Sequence, residues 1–386
     1  MNFDLTDDQT LLQDTLRRFL HDRYSAEDRR RIVSGNAGWS SEHWQAFADK
    51  LGILGLTSPE NIDGMDDCTV ESMIVMDAFG EALVVEPYLE TMVIGAGFLK
   101  REVSPRSKLL LADIAAGQAR LAFACGEPQS RYALHHVTTV AHRDGNAWRI
   151  SGMKNVVYAA PSATHMIVSA RTHGGSLDSE GISLFLVEAN VAGLKMYPYK
   201  TIDERRAADV QLEDVKLPGD ALIGESGKAL PLIELVVDEA IAVLCAEATG
   251  AMRRLLAYTV EYTRQRRQFG QPLAQFQALQ HRMADMYMAL ERSRSAVLLA
   301  ILKLKRSPIE RALAVSAAKA TIDDCGRFIG QSAIQLHGGM GMTQDLAVGA
   351  YFKRLTVIGN QFGTIDYHIE RYARLSRVDV VTHKQQ

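Results

Sequence analysis

Arg264-Gln-Arg-Arg-Gln-Phe-Gly-Gln-Pro-Leu-Ala-Gln-Phe-Gln277 is the stretch on which the reading of the fold turns. It ends a long helix-period segment, roughly 230–264, gathers guanidinium groups at the helix end, and breaks the chain at Gly270-Gln-Pro272. Two further helical segments follow, roughly 274–305 and 308–336. The second opens Ser307-Pro-Ile-Glu310, with an N-cap serine, proline at N1 and glutamate at N3. Fixed guanidinium donors match phosphate oxygens, so Arg264, Arg266 and Arg267 could clamp a diphosphate. On residue type alone, a solvated basic helix end with i,i+4 salt bridges is the commoner outcome.

Working outward, the first third also has a helical period. Thr6-Asp-Asp-Gln9 fits a capping box, and Leu11, Leu12, Leu16, Phe19 and Leu20 follow on one face. Trp44, Phe47 and Leu51 repeat the spacing before Gly52, and helix-like segments continue through 90–98 and 109–116. From about Leu121 to Gly224 the period shortens. Val137–Val140, Asp144-Gly145-Asn146 and Trp148–Ile150 form a hairpin pattern, and 165–171, 182–187 and 210–217 read as further strands. The spacing therefore predicts an α+β chain of three parts: an N-terminal α-helical domain (1–118), a middle β-barrel or sandwich domain (119–224) and a C-terminal four-helix bundle (225–386).

The 386 residues suit two or three domains, and 47% apolar with 23% charged residues is the range of soluble globular proteins. Lys+Arg number 43 and Asp+Glu 46, a net charge of −3, which argues against nucleic acid as a partner. Cys68, Cys125, Cys245 and Cys325 lack metal-binding or disulfide-framework spacing. The N-terminus has no signal-peptide pattern and no apolar run is long enough to span a bilayer, so no membrane association and a cytoplasmic location are expected.

Two more stretches could carry chemistry. Gln335-Leu-His-Gly-Gly-Met-Gly-Met-Thr343 offers bare backbone N–H groups to a ligand, although a helix–loop–helix connector is the commoner use of such a run. It is no nicotinamide fingerprint, because the preceding pattern is helical rather than a strand. Leu121-Ala-Phe-Ala-Cys-Gly-Glu-Pro128 places Glu127-Pro128 where a strand gives way to a turn. His281 and His368 read as interface or core histidines, and no metal spacing surrounds them.

In this order and architecture, the three stretches resemble the acyl-CoA dehydrogenase family over essentially the whole chain. The resemblance implies FAD as cofactor, an acyl-CoA thioester as substrate and an electron-transferring flavoprotein as acceptor. By position, Arg266 would bind the FAD pyrophosphate with Gln268 and Phe269 beside it, and Phe276 and Gln277 would contact the adenosine side. Gln335, Leu336, His337, Gly338 and Gly339 would meet the cofactor across a subunit interface, making a dimer of dimers part of the site. Thr364 and Asp366 would also touch FAD, while Cys125, Glu127, Pro128 and the strand pair Val156-Val157 would wall the isoalloxazine ring.

The family's reaction removes an α-proton with a carboxylate base while the flavin takes the β-hydride. The usual base position falls here on Phe362 or Gln361, neither of which can accept the proton. A second position used by some relatives falls on Ala240. Glu239 lies one residue away, about 100° around the helix, and Glu247 about 10 Å further along the same face. These departures, with Lys154-Asn-Val-Val157, Ala246-Glu-Ala248-Thr-Gly250 and Tyr351-Phe-Lys-Arg354, resemble the small subunit of pimeloyl-CoA dehydrogenase-type heteromers. Such pairs act on dicarboxylyl-, aryl- or steroid-derived acyl-CoA. A homologous subunit would then supply the base. The alternatives are a self-sufficient homotetramer using Glu247 or Glu239, and a structural subunit that has lost FAD.

Overall fold

Thr6 begins the fold as read: its hydroxyl accepts from Gln9 N while the Gln9 side chain accepts from Thr6 N, capping α1 (Asp7–Arg23). The computed structural model describes residues 4–56, 68–102 and 104–383. After α1 come α2 (Ala26–Ser34), α3 (Ser41–Asp49), whose Ser40 cap accepts from His43 N, and α4 (Thr69–Ala82). The segment expected as helix over 90–98 is a π-helical turn, Leu89–Gly95, running into the short α5 (Ala96–Leu99). It is buried throughout, and a Cβ at Gly95 would lie 2.7 Å from the Leu121 side chain. Ser104 and Pro105 then start α6 (Pro105–Ala115).

The middle strands are β1 (Leu121–Ala124), β2 (Val140–Asp144), β3 (Ala147–Tyr158), β4 (His165–Arg171), β5 (Ile182–Glu188), β6 (Leu194–Lys200), β7 (Arg206–Pro218) and β8 (Leu222–Ile223). They form one eight-stranded sheet in the order β6-β7-β3-β2-β4-β5-β8, with β1 parallel to β4. Its core gathers Ala122, Trp148, Ile150, Met166, Phe185 and Val210, all nearly solvent-free. The hairpin is present, with Asp144 opposite Ala147 across Gly145-Asn146. Its first strand starts at Val140 rather than Val137. Arg171 accounts for the difference, because its Nε donates to Val137 O and its Nη atoms to the carbonyls of His135, Ser176, Asp178 and Glu180.

The C-terminal part contains α7 (Leu230–Gln265), a small hairpin of β9 (Arg267–Gln268) and β10 (Gln271–Pro272), α8 (Gln277–Lys303), α9 (Pro308–His337), α10 (Val348–Asn360) and α11 (Ile365–His383). The expected bundle thus carries one helix more than four, because positive φ values at Phe362 (60°) and Gly363 (128°) break the last helical stretch into α10 and α11. Central α9 packs against α8, α10 and α11, and is accordingly apolar on most sides.

The chain divides into two compact units: Met1–Arg29, Thr69–Val84 and Ile241–Gln386 in a helical one, Arg30–Cys68 and Val85–Ala240 in one built around the sheet. Within the helical unit α4 and α7 cross backbone to backbone. A Cβ at Gly80 would lie 1.8 Å from Glu247 O, and one at Gly250 1.9 Å from Asp77 O. Arg253 closes the crossing with ion pairs to Asp77 and Glu81. Among the described residues no helix is long and apolar enough to cross a membrane.

Candidate functional site

In the sheet unit, the Cys125–Pro128 turn leaving β1 is tied to a bulge in β3. Lys154 pairs with Val210 and Val157 with Ala208, so Asn155 and Val156 together face the single residue Asp209. Asn155 N donates to Gly126 O at 2.8 Å. Lys154 Nζ donates to Glu127 Oε1 at 2.8 Å and to Ser169 Oγ at 3.0 Å, with both charged side chains sealed from solvent. Thr138 N, Thr139 N, Thr138 Oγ1 and Gln129 Nε2 complete the carboxylate's shell. Burial alone would raise the Glu127 pKa; the Lys154 ammonium and these donors outweigh it and hold the carboxyl well below the usual range.

Two of the residues expected to wall a flavin have their side chains engaged within the sheet unit. Glu127, 4% exposed, is consumed as the anchor of its own turn, leaving Cys125 half-buried and Pro128 exposed. Val157, 1% exposed, packs into the sheet core, and the outward residue is Val156 at 49%. The inserted bulge residue is the cause, since it lets Lys154 and Val157 both face inward.

In the helical unit, the helix turn that leads into the arginine stretch packs on the glycine stretch. The Tyr262 ring on the last turn of α7 stacks on His337 at the end of α9, with centroids 4.3 Å apart, and its hydroxyl donates to His337 O. Gln335, Gly338 and Gly339 are exposed, whereas Leu336 and His337 turn inward. His337 Nδ1 bonds Ala333 O, and burial, which also lowers its pKa, keeps the ring packed inward. Beside this contact, Phe269 (φ 52°) and Gly270 (φ 83°) form the tip of the β9–β10 hairpin. The tip carries exposed Arg266, Arg267 and Gln268 and a bare Phe269 ring, 91% exposed and edge-on to half-buried Phe276. Gln277 opens α8 exposed. Thr364 and exposed Asp366 begin α11.

Both carboxylates weighed as a base are already committed. Glu247, 0% exposed, forms a two-point ion pair with Arg354, Nε to Oε1 at 2.6 Å and Nη2 to Oε2 at 2.7 Å. Glu239, 7% exposed, is bound by Arg101. Gln361 is buried in the α10–α11 turn, which Lys319 clamps by donating to Gly359 O at 3.0 Å and Gly363 O at 2.9 Å. His368, pushed down to about 3 by burial and then by nearby Lys319 and Arg371, is neutral beneath that turn.

Known proteins show the same three-part arrangement. Residues 6–101 match the N-terminal domain of acyl-CoA dehydrogenase, residues 122–215 its middle domain, and residues 236–376 its C-terminal domain. The chain belongs to the acyl-CoA dehydrogenase family. Acyl-CoA dehydrogenases bind FAD and are oxidoreductases acting on CH–CH groups. This chain is 29% identical over 320 residues to acyl-CoA dehydrogenase FadE12 of Mycobacterium tuberculosis, covering 81% of each chain. It is 28% identical over 319 residues to the mitochondrial short-chain specific acyl-CoA dehydrogenase of Bos taurus, covering 80% of this chain and 76% of that one. Among solved structures, the ChsE4-ChsE5 complex from Mycobacterium tuberculosis superposes with a TM-score of 0.86 at 26% identity, over 97% of this chain and 98% of that chain. The Tcur3481-Tcur3483 steroid acyl-CoA dehydrogenase gives 0.85 at 26% identity, over 97% and 99%.

The residues present fit the family's cofactor. Exposed guanidinium groups suit a pyrophosphate, and a Cβ at Gly338 or Gly339 would meet nothing within 4 Å, so backbone there is open to a close ligand.

Proposed function

We propose that this acyl-CoA dehydrogenase is the flavin-holding, base-lacking subunit of a heteromeric enzyme. The sealed Glu247–Arg354 pair carries the reading. A carboxylate held at both oxygens by a buried guanidinium and 0% exposed offers no free oxygen to a substrate α-proton, and the Glu239 carboxylate is held by Arg101. A homologous subunit would supply the base. The two heteromeric structures named above support this arrangement, and the second supports a steroid-derived acyl-CoA over dicarboxylyl or aryl ones. FAD, when bound, supplies the hydride acceptor. This chain's part would be to hold it, with Arg266 on the pyrophosphate and Gln268 and Phe269 beside it, Phe276 and Gln277 toward the adenosine, and Gln335, Gly338, Gly339, Thr364 and Asp366 as further contacts. A dimer of dimers would cover the bare Phe269, and an electron-transferring flavoprotein would drain the electrons.

The test is flavin bleaching. The purified chain is expected to be yellow and to stay so when steroid acyl-CoA is added, bleaching only when co-purified with the homologous subunit. Bleaching by the chain alone would favour the self-sufficient homotetramer, and a colourless purified chain the structural subunit. Arg266→Ala should weaken FAD binding by about 10- to 100-fold, the weight of one charged hydrogen bond, read by flavin release on dilution. Glu247→Gln should leave turnover of the assembled enzyme unchanged while lowering its melting temperature, because it breaks the pair with Arg354. Lost turnover in a folded variant would restore Glu247 as base.

A further inference from the structure

The β3 bulge holds a backbone conformation that its sequence does not favour. Val156 sits at φ 51°, a region that a β-branched residue rarely enters, and a glycine there would relieve the strain. Next to it, Asn155 Oδ1 is buried with no hydrogen-bond partner. Two local costs at one bulge are tolerated where the surrounding structure imposes them for a purpose. Core packing is not that purpose for the Val156 side chain, which stands outside the sheet, 49% exposed.

The restraint on Val156 comes from β7. Asp209 lies opposite the bulge, and its Oδ1 accepts from Val156 N at 3.0 Å, a donor that the bulge removes from the ladder. The Tyr199 hydroxyl, reaching over from β6, donates to the same oxygen at 3.1 Å and restrains the carboxylate further. On its far side the bulge is bonded to the Cys125–Pro128 turn through Asn155 N and Gly126 O. Val156 is thus pinned between a tyrosine-anchored carboxylate and the turn that the family resemblance places against the flavin.

We propose that Asp209 is a positioning residue for the flavin, holding Val156 in its left-handed conformation so that the valine side chain stands against the isoalloxazine ring, with Tyr199 as second tether. This rests on the reading of the chain as the flavin-holding subunit. No part of it requires Asp209 to touch substrate or cofactor.

The test uses the flavin-loaded enzyme, with its partner subunit where loading needs it. Asp209→Ala should weaken FAD binding about tenfold, the weight of one hydrogen bond, and shift the flavin visible absorption and circular dichroism bands. Asp209→Asn, which keeps an acceptor oxygen, should retain both properties. Val156→Gly should alter the bands by removing the side chain. In Val156→Gly/Asp209→Ala no further change is expected, because glycine takes the left-handed conformation untethered. Additive losses, an Asp209→Asn variant as impaired as Asp209→Ala, or unchanged bands in Asp209→Ala would each overturn the proposal. A thermal melt of each variant shows whether it is folded, and should Asp209→Ala fail to fold, the Asn and Gly variants still decide. A wild-type enzyme without flavin would overturn the functional reading along with this one, whereas a loaded wild type with an indifferent Asp209→Ala overturns this one alone.

Discussion

Lys154→Met should destabilise the sheet unit by about 3–5 kcal/mol at neutral pH, because it strands Glu127 as a buried, uncompensated charge. Removing both charges together, as Lys154→Met/Glu127→Gln, should recover much of that loss, since no buried charge is left unpaired and the amide oxygen can still accept from Thr138 N and Gln129 Nε2. The pH dependence gives an independent check. Glu127 is held below its ordinary pKa in the folded protein, so its contribution is fully present above the unfolded value of about 4.3 and drains away as pH falls below that. The gap between wild type and Lys154→Met should therefore shrink as pH drops from 7 toward 3, measured by urea denaturation. A gap that stayed constant would mean that Lys154 contributes through packing of its stem and not through its charge.

Gly250→Ala should be comparably damaging, about 3 kcal/mol, although it adds a single methyl group. Nothing flexible can give way: the added carbon would lie 1.9 Å from the Asp77 carbonyl oxygen, which is backbone. The α4–α7 crossing would have to open, and with it the Arg253 pairs to Asp77 and Glu81. Gly80→Ala should do the same from the other helix, and the double variant should lose less than the sum, since a crossing already opened by one methyl has room for the second. Thermal melts of the three variants decide it, and a Gly250→Ala protein as stable as wild type would show that the helices separate at little cost.

Much of the architecture could be read from the residues in order. The Thr6–Gln9 capping box, the Ser307-Pro308 helix start, the Gly145-Asn146 hairpin and the long 3.6-residue periods on both sides of a strand-rich middle are local features. Each depends on neighbours within a few positions, so the sequence carries the whole instruction. The arginine and glycine stretches were legible for the same reason, as compact runs of chemistry. The start of β2 was not, because Arg171, more than 30 positions on, takes the Val137 carbonyl. Nor was the break between α10 and α11, which buried Lys319 clamps from another helix. A lysine in phase with Trp148 and Ile150 was a faint signal of a buried pair in β3, yet nothing local announced Glu127 as its partner.

What the order of residues determined by itself is the α, β, α plan and the compact arginine and glycine runs proposed to hold a dinucleotide, since helix caps, periodicity and short motifs act at short range. Tertiary structure alone decided which of those groups face outward and which carboxylates are spent. Glu247 meets Arg354 across 107 positions, and Val157 yields its outward place to Val156 through one inserted residue opposite Asp209. The physical reason is the same in both cases. Burial, pairing and strand register are properties of contacts between distant segments, and a charge or a side chain has no fixed availability until those contacts are made.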